Sequence, residues 1–152
     1  MKLLQIVFIL CVVLSSSILA KNVDDRSNFE IVQISAETLK QELDEQHGVL
    51  LLNVLNKHTA KDCSIHGSLL VPVQHLSKYV QKKVRKGKWV KDQEIVVYCA
   101  SADCPLSRHA YKILRSIGFS NVKLLRGGMR DWKQKGYPCK GKGRAGYLLN
   151  IY

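Results

Sequence analysis

The sequence lacks several features that would place it in a familiar functional class. Its cysteines form no Cys-x-x-Cys pair and its histidines show no paired spacing, so we predict no metal site and no cofactor. Gly127-Gly128 is not followed by a lysine and a serine or threonine, which excludes a phosphate-binding loop and leaves a turn. After residue 20 no apolar stretch is long enough to span a membrane.

Acidic residues are scarce, with 12 Asp and Glu against 24 Lys and Arg. The basic residues concentrate at residues 82–88 and 140–144. Neither stretch has interleaved aromatic residues or a recognition-helix motif, so we expect no nucleic-acid partner. We interpret them as a solvated helix face and as part of a basic C-terminal tail, residues 140–152. Attraction of small anionic substrates or of an acidic surface stays open.

The first twenty residues differ from the rest of the chain. Lys2 precedes an apolar run that ends in small residues at Ala20, which is typical of a secretory signal peptide. We therefore predict a signal peptide over residues 1–20 and a periplasmic or secreted protein without stable membrane insertion after cleavage. An uncleaved anchor is the alternative, but the run is short for a bilayer span.

Strand-like and helix-like segments alternate after a polar leader, residues 21–30. Short apolar runs predict strands, helical spacing of apolar residues predicts helices, and the polar stretch up to residue 67 predicts a loop. The predicted strands are residues 31–34, 49–55, a short one ending at 71–72, 94–98 and 121–125. Helices are predicted after the N-cap Ser35, over residues 76–84, from Pro105 and around Trp132. This alternation predicts one α/β domain, residues 31–139, with an open, mainly parallel sheet flanked by helices.

Cys99 occupies the position where this fold class places reactive groups. It follows a buried strand and precedes a helix, and reactive loops lie at the carboxyl ends of parallel strands. The small residues that follow allow a tight turn whose amides form an anion-binding nest. The residues of this turn are Ala100, Ser101, Ala102, Asp103 and Cys104. We therefore expect a lowered pKa for the Cys99 thiol. A buried structural cysteine is the alternative.

A series of landmarks in the chain resembles the single-domain rhodanese-like family. The landmarks are the strand into Cys99, Gly118-Phe119, Asn121-Val122, Gly127-Gly128, Trp132, Gly136-Tyr137-Pro138, the strand 49–54 and the segment Ile65 to Pro72. The resemblance implies a five-stranded parallel sheet flanked by helices. It also places Cys99 at the position of the family's catalytic cysteine, which carries sulfane sulfur as a persulfide.

The loop itself resembles a branch of the family with a Cys-Ala-Ser-x-x-Cys-x-x-Ser pattern, matched here from Cys99 to Ser107. Three features depart from the common family pattern. The loop has no arginine or glycine, the distance from Cys99 to Gly118 is longer than usual, and Asn53-Val54-Leu55 replaces an Asp-Val-Arg segment. A cation for an anionic donor would then have to come from Arg108, His109 or Lys57.

Three functions stay open from the sequence. The first is a sulfurtransferase that carries a persulfide on Cys99, with Ala100 to Cys104 and Ser107 binding a small anionic sulfur donor and a thiol or a cyanide-like acceptor. The second is a thiol–disulfide redox module in which Cys104 is the partner of Cys99. The third is a non-catalytic binding domain of the rhodanese fold. A phosphatase is disfavoured because Pro105 stands where its arginine is required.

The remaining candidate residues receive structural interpretations. Cys63 falls in a loop near the site, where it either pairs with a neighbouring thiol or, as we favour, is passive. Cys139 is expected to be remote and receives no role. We expect His66 and His109 to be structural or surface histidines, because a nest that ionises the thiol needs no base. Tyr98 and Trp132 are expected in the core.

Overall fold

A five-stranded parallel sheet forms the centre of the computed structural model, which describes residues 30–142. The predicted signal peptide, most of the polar leader and the tail beyond residue 142 lie outside the described residues. The strands are β1 (Gln33–Ile34), β2 (Leu50–Asn53), β3 (Ser64–Ile65), β4 (Leu69–Leu70), β5 (Ile95–Tyr98), β6 (Val122–Leu125) and β7 (Cys139–Lys140). The helices are α1 (Ala36–Asp44), α2 (Lys57–Asp62), α3 (Val73–Arg85), α4 (Pro105–Ser116) and α5 (Gly128–Gln134). The central sheet has the order β1-β6-β5-β2-β4.

The two longest apolar runs of the sequence lie beside each other in the middle of this sheet. β2 and β5 pair in parallel, with Leu51 opposite Val96 and Leu52 opposite Val97. All four residues of β5 are fully buried, since helices cover both faces of the sheet. The predicted parallel α/β fold with five strands is therefore confirmed.

Each face of the sheet has its own hydrophobic core. On one face, α3 and α4 pack over Leu52 and Val97, and Tyr111 of α4 belongs to this cluster. On the other face, α1 and α5 pack over Leu51 and Val96, and Trp132 belongs to this cluster. Tyr98 and Trp132 are both buried, as predicted. Within residues 30–142, no helix has the length and apolar character needed to cross a bilayer.

Two local elements differ from the prediction. The polar segment after β2 forms the short helix α2, which begins after the N-cap Asn56, whose side chain accepts a hydrogen bond from the Thr59 amide at 2.8 Å. β3 and β7 pair antiparallel as a small second sheet, so Lys140 belongs to a strand rather than to an unstructured tail. The N-cap of α1 agrees with the prediction, because Ser35 accepts a hydrogen bond from the Thr38 amide.

Candidate functional site

The active loop, residues 99–104, lies at the carboxyl end of the central strand β5. Cys99 follows this strand directly and is 1% exposed. The chain then turns, and the Cys104 amide donates to the Ser101 carbonyl at 3.2 Å. Pro105 begins α4 immediately afterwards. The strand–loop–helix arrangement expected around Cys99 is therefore present.

The first turn of α5, which follows β6, holds the active loop in place. The Met129 amide donates to the Cys99 carbonyl and the Arg130 amide to the Ala100 carbonyl, both at 2.9 Å. Gly128 adopts a φ of +61°, and a Cβ at this position would lie 2.6 Å from the Cys99 carbonyl oxygen. Gly127-Gly128 is thus the expected turn, and Gly128 has the further task of allowing this close approach.

The sulfur of Cys99 faces mainly oxygen atoms that accept hydrogen bonds. Its thiol lies 3.5 Å from the Cys104 carbonyl oxygen, 3.7 Å from the Ser101 carbonyl oxygen and 3.3 Å from Ser107 Oγ. Its hydrogen bond with the Cys104 side chain, followed by burial, raises the pKa of the Cys99 thiol. The expectation of a lowered pKa at Cys99 is therefore wrong, because carbonyl oxygens and a neighbouring thiolate stabilise the protonated form.

Cys104 is the more acidic member of the pair. It is half-buried and occupies the N-cap position of α4. The hydrogen bond from the Cys99 thiol lowers the pKa of Cys104 to about 6, with further contributions from the backbone amides of Leu106, Ala100 and Ser107. Cys99 and Cys104 are the free cysteines among the described residues. One of these backbone amides belongs to the active loop and two belong to the first turn of α4, and together they favour a thiolate on Cys104 rather than on Cys99, for which the nest was predicted.

The predicted substrate-binding residues differ in accessibility. Ser101 in the loop and Ser107 in the first turn of α4 are buried, and Ser107 interacts with the Cys99 sulfur. Ala102 and Asp103 are exposed at its outer turn, and Ala100 is half-buried. A ligand that approaches the loop from outside therefore meets Ala102, Asp103 and Cys104. Substrate binding by these residues stays a prediction.

Behind the active loop, a neutral network replaces the ion pair that the Asp-Val-Arg segment would form. Asn53 is fully buried, and its amide donates to Ser64 Oγ and accepts from the Leu55 amide, both at 3.0 Å. The Tyr98 hydroxyl accepts from the Ile65 amide at 3.0 Å and lies 2.8 Å from Ser68 Oγ. These hydrogen bonds connect β2 and β5 to the segment 64–68.

None of the side chains expected to supply a cation forms a hydrogen bond or an ion pair within residues 30–142. Lys57, Arg108 and His109 are exposed, as is His66. The same part of the chain holds no group of three His, Cys, Asp or Glu side chains placed to bind a metal ion.

Arg126 and Arg130, which follow β6, were not identified as candidate site residues from the sequence. They could have been identified, because the strand at residues 121–125 was predicted and residues that follow neighbouring parallel strands lie at the same edge of the sheet.

Cys63 and Cys139 form a disulfide with a Cα–Cα distance of 5.7 Å. The bond links the residue before β3 to the first residue of β7, the two strands of the small sheet in which Ile65 lies opposite Cys139. The passive role expected for Cys63 and the absence of a role for Cys139 are therefore wrong. The spacing of the two cysteines gave no indication of the pairing, because 76 residues separate them and β3 and β7 are too short to predict.

Comparisons with known proteins agree with this architecture. A family model described as "Rhodanese-like domain" matches residues 35–135. The rhodanese-like domain of an Anabaena protein is 28% identical, with a TM-score of 0.65 over 76% of this chain and 83% of that chain. A rhodanese-related protein of Thermoplasma volcanium is 24% identical, with a TM-score of 0.57 over 71% of this chain and 96% of that chain.

A protein of Bacillus halodurans, 19% identical, has a TM-score of 0.63 over 74% of this chain and 78% of that chain. At such identities the likeness to the Bacillus and Thermoplasma proteins shows the fold alone. No curated protein sequence matches the chain. The family model covers most of the chain, and the sheet order and the strand–cysteine–helix site accompany it. The chain therefore belongs to the family of rhodanese-like domains.

Proposed function

We propose that this protein is a thiol-dependent sulfurtransferase that carries sulfane sulfur as a persulfide in the active loop. The observation that carries the proposal is the pair of free thiols at the two ends of the active loop, of which Cys104 is half-exposed and has a pKa lowered to about 6. A thiolate is the nucleophile in sulfur exchange, and the Cys104 thiolate is accessible whereas the Cys99 thiol is buried.

The transfer begins at Cys104 and proceeds in two displacements. The Cys104 thiolate attacks the outer sulfur of a donor R–S–S⁻, the donor S–S bond breaks, and its electron pair leaves with the R–S⁻ group. Cys104 then holds a persulfide. A thiol or cyanide acceptor attacks its terminal sulfur and restores the Cys104 thiolate.

Cys99 has two tasks in this proposal. Its thiol donates a hydrogen bond that stabilises the Cys104 thiolate. Because the two side chains interact, Cys99 can also take the terminal sulfur from Cys104 by the same exchange: the Cys99 sulfur bonds to the terminal sulfur, the S–S bond to Cys104 breaks, and the Cys99 proton moves to the departing Cys104 sulfur. The buried position of Cys99, which is the family's sulfur-carrying position, would then protect the bound sulfur from water.

A cyanide-dependent thiocyanate assay tests the proposal. We expect thiocyanate from the unmodified protein, a large loss in Cys104→Ser, and none from the double variant Cys99→Ser/Cys104→Ser. Ser116→Ala, at the far end of α4, is the control and should keep full activity. Equal signals from the unmodified protein and the double variant would rule the proposal out.

A thiol–disulfide redox module is the second candidate function, and the lowered pKa of Cys104 beside Cys99 favours it as well. In this reaction the Cys104 thiolate attacks a substrate disulfide, and Cys99 then displaces the bound thiol and closes a Cys99–Cys104 disulfide. The substrate disulfide is reduced to two thiols. Differential alkylation after mild oxidation distinguishes the candidates, since only the redox module protects both cysteines together without bound sulfur.

We further propose that the protein is exported to the periplasm or outside the cell, with the signal peptide at residues 1–20. The Cys63–Cys139 disulfide supports an oxidising compartment. The exported protein should begin at Lys21, which N-terminal sequencing or intact mass would show. A protein that retains residues 1–20 would contradict cleavage.

A further inference from the structure

A cavity of about 450 Å³ lies beside the active loop at the carboxyl edge of the sheet. Its walls come from the segment after β1, the turn after β6 and α5, and it reaches the active loop at Ala102. A cavity of this size accommodates a small organic molecule rather than a single inorganic ion. The sulfurtransferase proposal does not yet use this space.

The charges around the cavity favour a negatively charged ligand. Lys135 lies 2.5 Å from a Glu37 carboxylate oxygen and 3.6 Å from an Asp131 carboxylate oxygen, so one lysine pairs with both acidic side chains of the wall. Arg126 and Arg130 also line the cavity, and within residues 30–142 neither has an ion-pair partner. Three cationic side chains therefore stand against two carboxylates, which leaves the wall with one net positive charge and with two guanidinium groups that can bind an anionic ligand.

Arg130 is connected directly to the active loop. Its amide donates to the Ala100 carbonyl at 2.9 Å, which fixes its backbone against the loop. Its side-chain Nε is buried without a hydrogen-bond partner. Planar guanidinium groups bind carboxylates through paired hydrogen bonds, so the part of Arg130 that lines the cavity can bind an anionic acceptor.

We infer that Arg126 and Arg130 bind a carboxylate group of an organic persulfide whose sulfur reacts at the Cys99–Cys104 pair. The inference rests on the proposed function and specifies its donor. The cavity wall reaches the loop at Ala102 and includes neither cysteine, so the anionic group must be several bonds away from the reacting sulfur. Thiosulfate carries its negative charge next to its sulfane sulfur, so it cannot contact the two arginines of the cavity and the cysteine pair at the same time.

Binding to a protein without the reactive thiols tests the inference separately from the chemistry. The probe is a dipeptide of S-methylcysteine and glutamate, with its carboxylates either free or converted to amides. In the variant Cys99→Ser/Cys104→Ser, NMR titration should show tighter binding of the free acid than of the amide. Adding Arg126→Gln and Arg130→Gln should weaken binding of the acid roughly 5- to 20-fold and leave the amide unchanged.

The matched control is Arg85→Gln, which removes an exposed arginine at the end of α3 that does not line the cavity. Arg85→Gln should leave the affinity for the acid unchanged. Equal affinity for the acid and the amide, or equal loss from the Arg85 variant and the cavity variants, would overturn the inference. Absence of thiocyanate formation by the unmodified protein would overturn the proposed sulfurtransferase instead, so the two failures are distinguishable.

In sulfur transfer, the persulfide of the same cysteine–glutamate dipeptide should be a better donor than thiosulfate. Arg126→Gln/Arg130→Gln should raise the KM for this donor roughly 5- to 20-fold and leave the KM for thiosulfate within about twofold. An equal rise for both donors would contradict a distant carboxylate site, since it would indicate a general effect on the loop.

Discussion

Removal of the Cys99 thiol should make Cys104 a weaker acid. The hydrogen bond from Cys99 is the largest cause that lowers the pKa of Cys104 to about 6 from the ordinary thiol value of 9.0. Cys99→Ala deletes this donor and leaves the backbone amides in place. We therefore expect the pKa of Cys104 to rise from about 6 towards 9 in this variant.

The size of the effect on reactivity follows from ionisation and nucleophilicity together. At pH 7 a thiol with a pKa of about 6 is roughly 90% ionised, whereas one with a pKa of 9 is about 1% ionised. The more acidic thiolate is intrinsically less nucleophilic by a factor of roughly 15 to 30. The alkylation rate of Cys104 at pH 7 should therefore exceed that of an ordinary thiol by only about three- to sixfold.

The shape of the pH profile is a sharper observable than the rate at one pH. Because the pKa is lowered, reactivity of Cys104 should be fully present above about pH 7 and should be lost as the pH falls through 6. Iodoacetamide alkylation, followed by peptide mass analysis, measures this profile for each cysteine. A rate that continues to rise up to pH 9 in the unmodified protein, or a Cys99→Ala profile with an unchanged midpoint, would refute the reasoning.

Three further predictions concern the framework of the site. Cys63→Ser/Cys139→Ser should lower the free energy of unfolding by about 4 kcal/mol in urea titrations, because the disulfide closes a loop of 76 residues; a loss below about 1 kcal/mol would contradict that contribution. Gly128→Ala should cost about 2–4 kcal/mol, whereas Gly136→Ala, with positive φ and open space, should cost only about 1 kcal/mol; equal losses would contradict the close packing on the active loop. Asn53→Leu should lower the free energy of unfolding by about 1–3 kcal/mol in thermal unfolding, because the buried Leu55 amide loses its acceptor; unchanged stability would contradict this interpretation.

The sequence predicts the centre of the fold well because burial there dictates composition. β2 and β5 are covered on both faces, so they appear as continuous apolar runs, and Ser35 is recognisable as an N-cap. α2 was missed because Lys57–Asp62 contains one buried residue and shows no apolar periodicity. β3 and β7 were missed because two-residue strands carry no periodic pattern, and a disulfide supports their pairing.

The site was predictable in position but not in electrostatics. The end of a buried strand places Cys99 beside the following helix, which the sequence showed. Which of two thiols ionises depends on whether amides or carbonyl oxygens face each sulfur, and that is set by the turn geometry. Likewise, Arg126 and Arg130 approach the active loop only because β6 pairs with β5 in the sheet.

The most direct test of the central claim is the mass of the active-loop peptide after treatment with a persulfide donor. We predict the added mass of one sulfur atom on this peptide, lost on reduction, with labelling retained in Cys99→Ser and largely lost in Cys104→Ser because Cys104 receives the sulfur first. An unlabelled loop in the unmodified protein, or labelling that persists in Cys104→Ser and disappears in Cys99→Ser, would contradict entry of sulfur through Cys104.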